Sequence, residues 1–496
     1  MHNRFEPAYI QTIMDQAQAA FTAYRKLHPE TRAVFLDQIA TEIENLGDML
    51  IETASEETRL PPARLAGERG RTCFQLRMFA GLIREGSWLD AAIDTAQPDR
   101  VPLPKPDIRR MLVPLGPVVV FGASNFPMAY STAGGDTASA LAAGCSVVIK
   151  AHPAHPRTSQ MVFEAMEKAA QTSGMPAFVV QHVAGDGFVW GKALVQHPLT
   201  AAVGFTGSYS GGTALQGYAL SREKPIPVFA EMGSINPVVF LPDILKRNAD
   251  TLAKQYAGSI TLGVGQFCTN PGLLLALDGP ELDAFLPVLS KEIEATMPGQ
   301  MLHEGIHQHY YTNMEQALAQ KGISVVGRSA QEAGTLEGAP VVTTVDGATF
   351  LGNPILHQEV FGPYSLLVRC RDKSELIAAL KAVSGQLTTT LMATEADLAA
   401  HEDLITVQTE IAGRLILNGV PTGVEVCASM VHGGPFPATT DGRFTSVGPA
   451  AIRRWVRPVC FQGYPNAFLP DELKNENPRN IWRLVNNTLT RDSIPA

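Results

Sequence analysis

Several features that would assign a chain to a specialised class are missing from this sequence. No stretch approaches 18 uninterrupted apolar residues, so the sequence predicts no membrane-spanning segment and no membrane partner. Lysine and arginine form no run and the net charge is −9, which argues against a nucleic-acid partner. The residues from Met1 to Pro7 carry neither the apolar core nor the cleavage signal of a secretory peptide.

Paired cysteines are also missing. The six cysteines, Cys73, Cys145, Cys268, Cys370, Cys427 and Cys460, show no CxxC spacing. Their scattered positions fit reduced thiols better than a disulfide framework or a zinc site. His303, His307 and His309 lie close together without a paired carboxylate pattern, and a solvated helix end accounts for them. We therefore expect a cytoplasmic protein with no metal site.

What is present is the composition of a soluble globular protein of enzyme size. The chain has 496 residues, of which 45% are apolar and 18% charged, and it is too long for one hydrophobic core. Residues 8–53 have the apolar spacing of helix, whereas residues 91–117 are rich in proline and typical of extended chain. We find no internal repeat and no low-complexity segment.

Short apolar runs alternate with helical patterns after residue 117. The predicted strands are residues 118–121, 147–149, 178–180, 201–205 and 227–230. Apolar strands alternating with helices are typical of a parallel sheet covered on both faces, so we predict an α/β fold. Ligands of such sheets bind beyond the carboxyl ends of the strands. The polar residues at or just after those ends are Asn125, Lys150, Ser208 and Glu231.

Three of these strand ends have more than one interpretation. Glu231 ends a buried apolar strand, so it is either a satisfied polar end group or a general base with a raised pKa. Asn125 is either the N-cap of a helix or a donor to an oxyanion. Gly207 and Ser208 begin a helix whose free N–H groups could bind phosphate, although the segment is neither a GxGxxG nor a Walker loop.

Cys268 stands in a segment that favours neither helix nor strand. Glycines precede it and an Asn-Pro-Gly turn signal follows it, so the backbone presents the thiol on a turn. A cysteine in such a position is a candidate nucleophile. The alternative is a buried cysteine that fills a gap in the core.

Five groups of residues occur in an order that resembles the aldehyde dehydrogenase superfamily over nearly the whole chain. They are Ala123-Ser124-Asn125-Phe126-Pro127 with Lys150, Phe205-Thr206-Gly207-Ser208, Glu231-Met232-Gly233, Gly265-Gln266-Phe267-Cys268 and Glu359-Val360-Phe361-Gly362-Pro363. Each motif is modest alone, but five in register are highly specific. The local variants are similar to the α-ketoglutarate semialdehyde (2,5-dioxovalerate) dehydrogenase branch, and also to a bacterial fatty aldehyde dehydrogenase.

The resemblance implies a catalytic role for three residues. Cys268 would attack the aldehyde to form a thiohemiacetal, whose oxyanion Asn125 and the Cys268 N–H would stabilise. After hydride transfer to a nicotinamide cofactor, Glu231 would activate the water that hydrolyses the thioester. The resemblance thus makes Cys268 a covalent carrier and implies that the substrate is a small-molecule aldehyde.

The resemblance also implies a set of cofactor contacts. Lys150 and Glu359 would hold the riboses, Phe361 would line the nicotinamide, and the turn at Gly207 and Ser208 would meet the pyrophosphate. Its fold implication is a Rossmann-like cofactor domain, an α/β catalytic domain and a small β oligomerisation element. We expect the cofactor domain at residues 1–90 and 113–235, the catalytic domain at residues 236–452, and the oligomerisation element with the C-terminal tail at residues 91–112 and 453–496. The protein is expected to be a homodimer or homotetramer.

One departure from the family pattern bears on the cofactor, and one further residue, His432, bears on the nucleophile. Where the family commonly has a glutamate that accepts from the adenosine ribose, this chain has Pro153. No carboxylate there repels a 2′-phosphate, and Lys150, His152 and Arg157 are near, so we expect NADP to be preferred and NAD to be possible. His432 lies in a glycine-rich segment and is either a satisfied loop histidine or a partner of the Cys268 thiolate.

The same residues favour some functional hypotheses and disfavour others. The first is oxidation of α-ketoglutarate semialdehyde to α-ketoglutarate, and the alternative is a fatty or other long-chain aldehyde. An enzyme that passes the thioester to coenzyme A is disfavoured, because Glu231 as a hydrolytic base would waste the thioester. A non-catalytic structural member is disfavoured by the intact set of Cys268, Glu231 and Asn125. No arginine in the sequence is obliged to bind a distal carboxylate.

Overall fold

The computed structural model describes residues 5–185, 187–383 and 385–495. Its helices are α1 (Pro7–Tyr24), α2 (Pro29–Asn45), α3 (Gly47–Thr58), α4 (Pro62–Glu85), α5 (Gly135–Ala143), α6 (Pro156–Thr172), α7 (Phe188–Gln196), α8 (Tyr209–Leu220), α9 (Pro242–Thr261), α10 (Pro280–Ala295), α11 (Glu304–Leu318), α12 (Gly347–Gly352), α13 (Lys373–Ala382), α14 (Glu395–Ala400) and α15 (Glu402–Ile411). Short 3₁₀ turns cover Ser87–Leu89, Leu262–Gly265, Pro354–His357, Pro449–Trp455, Asn466–Phe468 and Asp471–Leu473.

The strands form three main sheets and one small pair. They are β1 (Ala92–Asp94), β2 (Ile108–Pro114), β3 (Val118–Phe121), β4 (Val147–Lys150), β5 (Val180–Val183), β6 (Ala202–Thr206), β7 (Val228–Glu231), β8 (Val238–Phe240), β9 (Leu273–Leu277), β10 (Gly299–Gln300), β11 (Ser324–Arg328), β12 (Glu337–Gly338), β13 (Val341–Asp346), β14 (Tyr364–Cys370), β15 (Gln386–Met392), β16 (Ala412–Leu417), β17 (Val456–Gln462), β18 (Arg483–Val485) and β19 (Thr488–Thr490). Strands β10 and β12 form the pair.

The first large sheet is parallel and has the order β5-β4-β3-β6-β7. Its central strands are almost wholly buried because they are apolar on both faces. Helices α1, α5, α6, α7 and α8 supply the covering apolar side chains. The predicted α/β class with a Rossmann-like parallel sheet is confirmed. The carboxyl ends of β3, β4, β6 and β7 meet at one edge, which brings the predicted strand-end residues together.

The second sheet has the order β11-β13-β14-β9-β8-β15-β16 and is parallel except for the antiparallel edge strand β11. It follows the first sheet in the chain and carries a separate pair of apolar clusters on its two faces. Cys268 lies just before β9, and Glu359 and Phe361 lie just before β14. These residues therefore approach the first sheet from the side of the second.

The third sheet, β17-β2-β1-β18-β19, is built from the two segments predicted to form a small β element. Strands β2 and β17 pair antiparallel over seven residues each, although they lie far apart in the chain. The predicted domain bounds and the role of this sheet in oligomerisation remain predictions. Among the described residues, no helix is both long enough and apolar enough to cross a membrane.

Two element predictions differ from the structure. The helical pattern of residues 8–53 is divided into α1, α2 and part of α3, because Pro29 begins a new helix and Gly47 another. The third strand is β5 rather than residues 178–180. Phe178 has a φ of 64°, which lies outside the extended region, so the strand begins only after it.

Candidate active site

The backbone before Cys268 adopts a conformation that few sequences allow. Gly263, Val264 and Gly265 have successive φ angles of 54°, 58° and 65°. A positive φ is an outlier for a β-branched residue such as Val264. A Cβ on Gly265 would collide with the backbone carbonyl of Gly362. The amide of Asn236 then donates to the Cys268 carbonyl at 2.9 Å. Close backbone approach and this hydrogen bond together fix the loop that carries the thiol.

Three reactive side chains converge at Cys268. The His432 Nε2 lies 3.5 Å from the Cys268 Sγ and 2.9 Å from the Glu231 Oε1. His432 and Glu231 are only 1% and 3% exposed, so both are removed from solvent. The ligand-type atoms of the three residues lie within 4.8 Å of one another, which would also suit a metal ion. That no metal is used remains a prediction.

The Glu231 side chain and the His432 backbone are held by two further residues, Ser446 and Thr445. The Ser446 hydroxyl donates to the Glu231 Oε2 at 2.6 Å, and the His432 backbone N–H donates to the Thr445 hydroxyl at 2.9 Å. Ser446 and Glu231 are separated by 215 positions. No local pattern marks a serine as the partner of so distant a carboxylate, so Ser446 could not have been found from the sequence.

Burial and neighbouring charges shift the pKa values of Cys268 and Glu231 in opposite directions. Burial raises the pKa of the Cys268 thiol well above its ordinary value, and the Glu231 charge raises it further. Burial alone would also raise the pKa of Glu231, but the charge of His432 and hydrogen bonds from His432, Ser446 and Cys268 lower it below the ordinary value. The expected raised pKa of Glu231 is therefore wrong. The unactivated cluster holds a neutral thiol beside an ionised carboxylate.

Asn125 lies beside Cys268 in the same cavity. Its Nδ2 donates to the Gln266 carbonyl at 3.2 Å, and its own backbone carbonyl accepts from the Arg64 Nη2 at 2.8 Å. The next helix, α5, begins only at Gly135, so the alternative that Asn125 is an N-cap is wrong. The amide is instead oriented by the loop that carries the thiol.

The cavity on this side of Cys268 has a volume of about 420 Å³ and is bounded by both parallel sheets. The predicted cofactor residues that line it are Gly207, Ser208, Glu359, Phe361 and His152, together with Cys268, Glu231 and Asn125. His303 and His309 line it as well and were not predicted to do so. His303 is the N-cap of α11, which agrees with the predicted helix end.

Two polar features of the cavity match the needs of a dinucleotide. The Ser208 hydroxyl caps α8 by accepting from the Gly211 N–H at 3.2 Å, and this helix N-terminus opens on the cavity. Glu359 is half-buried and lies against the backbone of Gly233, where a Cβ would collide with its carboxylate. Burial raises the pKa of Glu359 to about 7. A ribose diol could donate to this carboxylate, so the residues present fit a nicotinamide dinucleotide.

Two predicted cofactor residues do not line the cavity. Lys150 is buried at the end of β4, where its Nζ donates to the Ala151 carbonyl at 2.8 Å. The Arg157 guanidinium is 57% exposed and pairs with Glu56 at 2.9 Å and Glu57 at 3.5 Å. Arg157 is therefore occupied by two carboxylates of α3. His152 is the residue of this loop that faces the cavity, and burial lowers its pKa to about 3, so the ring is neutral near pH 7.

Comparisons with known proteins agree with this arrangement. The model of the aldehyde dehydrogenase family matches residues 3–434. An α-ketoglutaric semialdehyde dehydrogenase of Azospirillum brasilense is 51% identical, over 96% of this chain and 91% of its own length. A second protein of that name, from Acinetobacter baylyi, is 46% identical over 98% and 93%. The structure of Staphylococcus aureus betaine aldehyde dehydrogenase in complex with NAD+ superposes with a TM-score of 0.77 at 19% identity, covering 92% of this chain and 88% of that one.

Proposed function

Since the chain belongs to the aldehyde dehydrogenase family and is an NAD(P)-dependent aldehyde dehydrogenase, we propose that it oxidises α-ketoglutarate semialdehyde to α-ketoglutarate. The observation that carries the proposal is the convergence of Cys268, Glu231 and His432 beside a cavity that fits a nicotinamide dinucleotide. The two relatives that act on this semialdehyde, by their names, support the choice of substrate.

The first step is attack of the Cys268 sulfur on the aldehyde carbon. The thiol proton leaves to Glu231 or His432, whose atoms stand within reach of the sulfur. The carbonyl oxygen becomes an oxyanion, for which the Asn125 amide and the Cys268 N–H are the donors. Losing one such donor typically lowers the rate by about a hundredfold to a thousandfold.

The cofactor supplies the hydride acceptor when it is bound. The α8 N-terminus at Ser208 would hold its pyrophosphate, Glu359 would hold a ribose, and Phe361 would contact the nicotinamide. The Cys268 thioester that remains is then hydrolysed by water, from which Glu231 removes a proton. The net reaction converts one aldehyde, one oxidised cofactor and one water into a carboxylate, a reduced cofactor and two protons.

We propose that His432 is the partner of the Cys268 thiolate. Its Nε2 is the ring nitrogen that faces the sulfur, while its Nδ1 has no hydrogen-bond partner among the described residues. A protonated imidazole beside the sulfur favours the thiolate over the thiol. This role offsets the burial that otherwise keeps the thiol neutral.

The cofactor preference is proposed to be NADP, with NAD also accepted. Pro153 leaves no carboxylate beside a 2′-phosphate, and His152 faces the cavity. Steady-state kinetics should give a lower Michaelis constant for NADP than for NAD. Equal or reversed values would contradict the preference without affecting the proposed reaction.

A burst experiment tests the reaction itself. Mixing enzyme, NADP and the semialdehyde should give a burst of NADPH followed by turnover without coenzyme A. Turnover only after addition of coenzyme A would identify an acylating enzyme, and no burst would identify a non-catalytic protein. A panel that includes long-chain aldehydes tests the substrate, since a higher kcat/KM for those would favour the fatty aldehyde alternative.

We further propose a cytoplasmic homodimer or homotetramer. The cysteines Cys427 and Cys460 are exposed and free, which suits a reducing compartment. The sheet of β17-β2-β1-β18-β19 exposes Trp482, Leu484 and Leu489 near its β18–β19 edge, and burial of such side chains favours association. Light scattering that gave the mass of a monomer would contradict this proposal.

A further inference from the structure

A second cavity lies on the other side of the loops that carry Asn125 and Cys268. It has a volume of about 650 Å³. It shares Phe126 with the cavity lined by Ser208, Glu359 and Phe361, which we call the cofactor cavity. The rings of Phe126 and Phe267 meet edge to face at 5.8 Å and form its inner wall. Phe267 precedes Cys268, so this cavity abuts the loop that carries the nucleophile, while Cys268 itself lines the cofactor cavity. We call it the aldehyde cavity.

One face of helix α4 lines this cavity with charge. Arg64, Glu68 and Arg71 are spaced by four and three residues, so they lie on one face of the helix. Arg59 adds a further guanidinium, and the lining therefore holds three arginines against one glutamate. An apolar aldehyde would gain nothing from this excess of positive charge, whereas a carboxylate would be attracted.

Glu68 does not neutralise the arginines by a direct ion pair. Its Oε1 accepts from the N–H groups of Met128 and Ala129 at 2.8 and 2.9 Å, which ties α4 to the loop after Asn125. Burial raises the pKa of Glu68, so the cavity lowers the cost of protonating it. The carboxyl group is a tether for the helix, and the positive charge of the cavity remains available.

Arg64 has the geometry of an anion-binding side chain. Its guanidinium lies 5.1 Å from the centre of the Phe126 ring and 4.7 Å from that of Phe267, so two aromatic rings contact it. Its Nη2 donates to the Asn125 carbonyl, and its Nη1 is buried without a partner among the described residues. Stacking on rings leaves the edge of a guanidinium free to bind a carboxylate with two donors.

Arg71 supports the same charge from two helical turns further along α4. Its Nη1 donates to the Val424 carbonyl at 2.8 Å and its Nη2 to the Tyr130 hydroxyl at 3.3 Å. Its Nε is buried without a partner among the described residues. Arg71 is thus fixed by the protein and still carries an unused donor.

We propose that Arg64, with Arg71 behind it, determines specificity by binding the carboxylate of an aldehyde acid whose aldehyde reaches Cys268. The inference rests on the proposed function and assigns the recognition of the distal carboxylate of its substrate to Arg64 and Arg71. A 2-oxo acid offers the guanidinium both a carboxylate and a neighbouring carbonyl oxygen. A long aliphatic aldehyde would bury the unpaired donors of both arginines without replacing their hydrogen bonds.

The test compares α-ketoglutarate semialdehyde with pentanal, a neutral aldehyde of the same chain length. In Arg64→Gln the kcat/KM for the semialdehyde should fall by about tenfold to a hundredfold, as for loss of a charged hydrogen bond. The value for pentanal should fall by no more than about threefold. Arg77→Gln is the matched control on α4, because Arg77 pairs with Glu44 at the surface and its loss should change neither value.

Three outcomes would overturn the inference. Equal losses with both aldehydes would mean that Arg64 only supports Asn125, and no loss with the semialdehyde would mean that it binds no carboxylate. If Arg64→Gln fails to fold, Arg64→Lys provides the test, since it keeps the positive charge and loses the paired N–H donors of the guanidinium. A Lys variant with unchanged selectivity for the semialdehyde over pentanal would also overturn it.

Glutarate separates this inference from the proposed function. Glutarate has carboxylates but no aldehyde, and it should protect Cys268 from alkylation in the wild type and in Arg77→Gln but not in Arg64→Gln. If the wild type fails to oxidise the semialdehyde while glutarate still protects, the proposed substrate is wrong and the carboxylate site stands. Oxidation of the semialdehyde without protection by glutarate would overturn the site.

Discussion

The two cavities that meet at Phe126 are built from different parts of the fold. The cofactor cavity is walled by residues just after parallel strands, such as Ser208 after β6 and Glu231 at the end of β7. The aldehyde cavity is walled by one face of α4 and the turn before Cys268. Strand ends of a parallel sheet converge whatever covers the sheet, whereas a helix face meets a site only through tertiary packing. The first cavity is therefore predictable from the sequence and the second is not.

The largest predicted effect lies at Glu231, which lines the cofactor cavity beside Cys268. Glu231→Gln should lower kcat by about a hundredfold to ten-thousandfold, because it removes the base for hydrolysis. The NADPH burst should persist in rapid-mixing kinetics, since thioester formation precedes hydrolysis. Ser446→Ala, which removes the hydrogen bonds of this hydroxyl to Glu231 and to the His432 carbonyl but keeps the carboxylate, should give a smaller loss. Loss of the burst in Glu231→Gln would show that this carboxylate is also needed to activate the thiol.

The next effect concerns the Cys268 thiol and its neighbour His432. His432→Gln should move the pH profile of Cys268 alkylation to higher pH, because the imidazole 3.5 Å from the sulfur no longer stabilises the thiolate. If the midpoint of the profile rises by about one pH unit, the alkylation rate near neutral pH falls about tenfold. His401→Gln is the control, because His401 bonds the Asp397 carbonyl at the end of α14. An unchanged profile in His432→Gln would show that His432 is a hydrogen-bonded loop histidine with no effect on the thiolate.

A third effect is confined to the cofactor cavity. Glu359 has a pKa of about 7, so it is increasingly protonated below that pH and can no longer accept from two ribose hydroxyls. Because binding to the carboxylate favours the ionised form, cofactor affinity should rise with pH, by up to about tenfold from about pH 6 to about pH 8.

Fluorescence titration with the cofactor measures this dependence. Glu359→Gln should bind more weakly and lose the pH dependence over that range. Binding of glutarate, which concerns the aldehyde cavity, should not follow the titration of Glu359. A Glu359→Gln variant that kept the full pH dependence would assign the titration to another group.

The smallest predicted effect is on the Michaelis constant for NADP and concerns Arg157, which lies outside the cofactor cavity. Arg157→Ala should leave the Michaelis constant for NADP within about twofold of the wild type, because Arg157 is exposed and paired with Glu56 and Glu57. His152→Ala should weaken NADP binding more than NAD binding, since His152 faces the cavity. Steady-state kinetics with both cofactors would contradict this division if Arg157→Ala alone lost the preference.

Much of the fold could be predicted because its signals are local. Apolar runs such as 118–121 and 147–149 form buried strands, and proline begins several of the helices. Element bounds failed where a single dihedral angle decided them, as at Phe178 with its φ of 64°. The protonation state of Glu231 was also mispredicted, because its pKa depends on His432 and Ser446, both about 200 positions away.

The order of motifs along the chain was enough to establish the reaction class, because Cys268, Glu231 and Asn125 stand in segments that can be recognised without coordinates. It also established that the strand-end residues would gather at one edge, since parallel strands end together. Tertiary packing alone placed His432 against Cys268, turned Arg157 away from the cavity, and stacked Arg64 beside Asn125. The physical reason is that a helix or loop side chain acquires its chemical environment from elements far away in the chain, and no local periodicity encodes which elements those are.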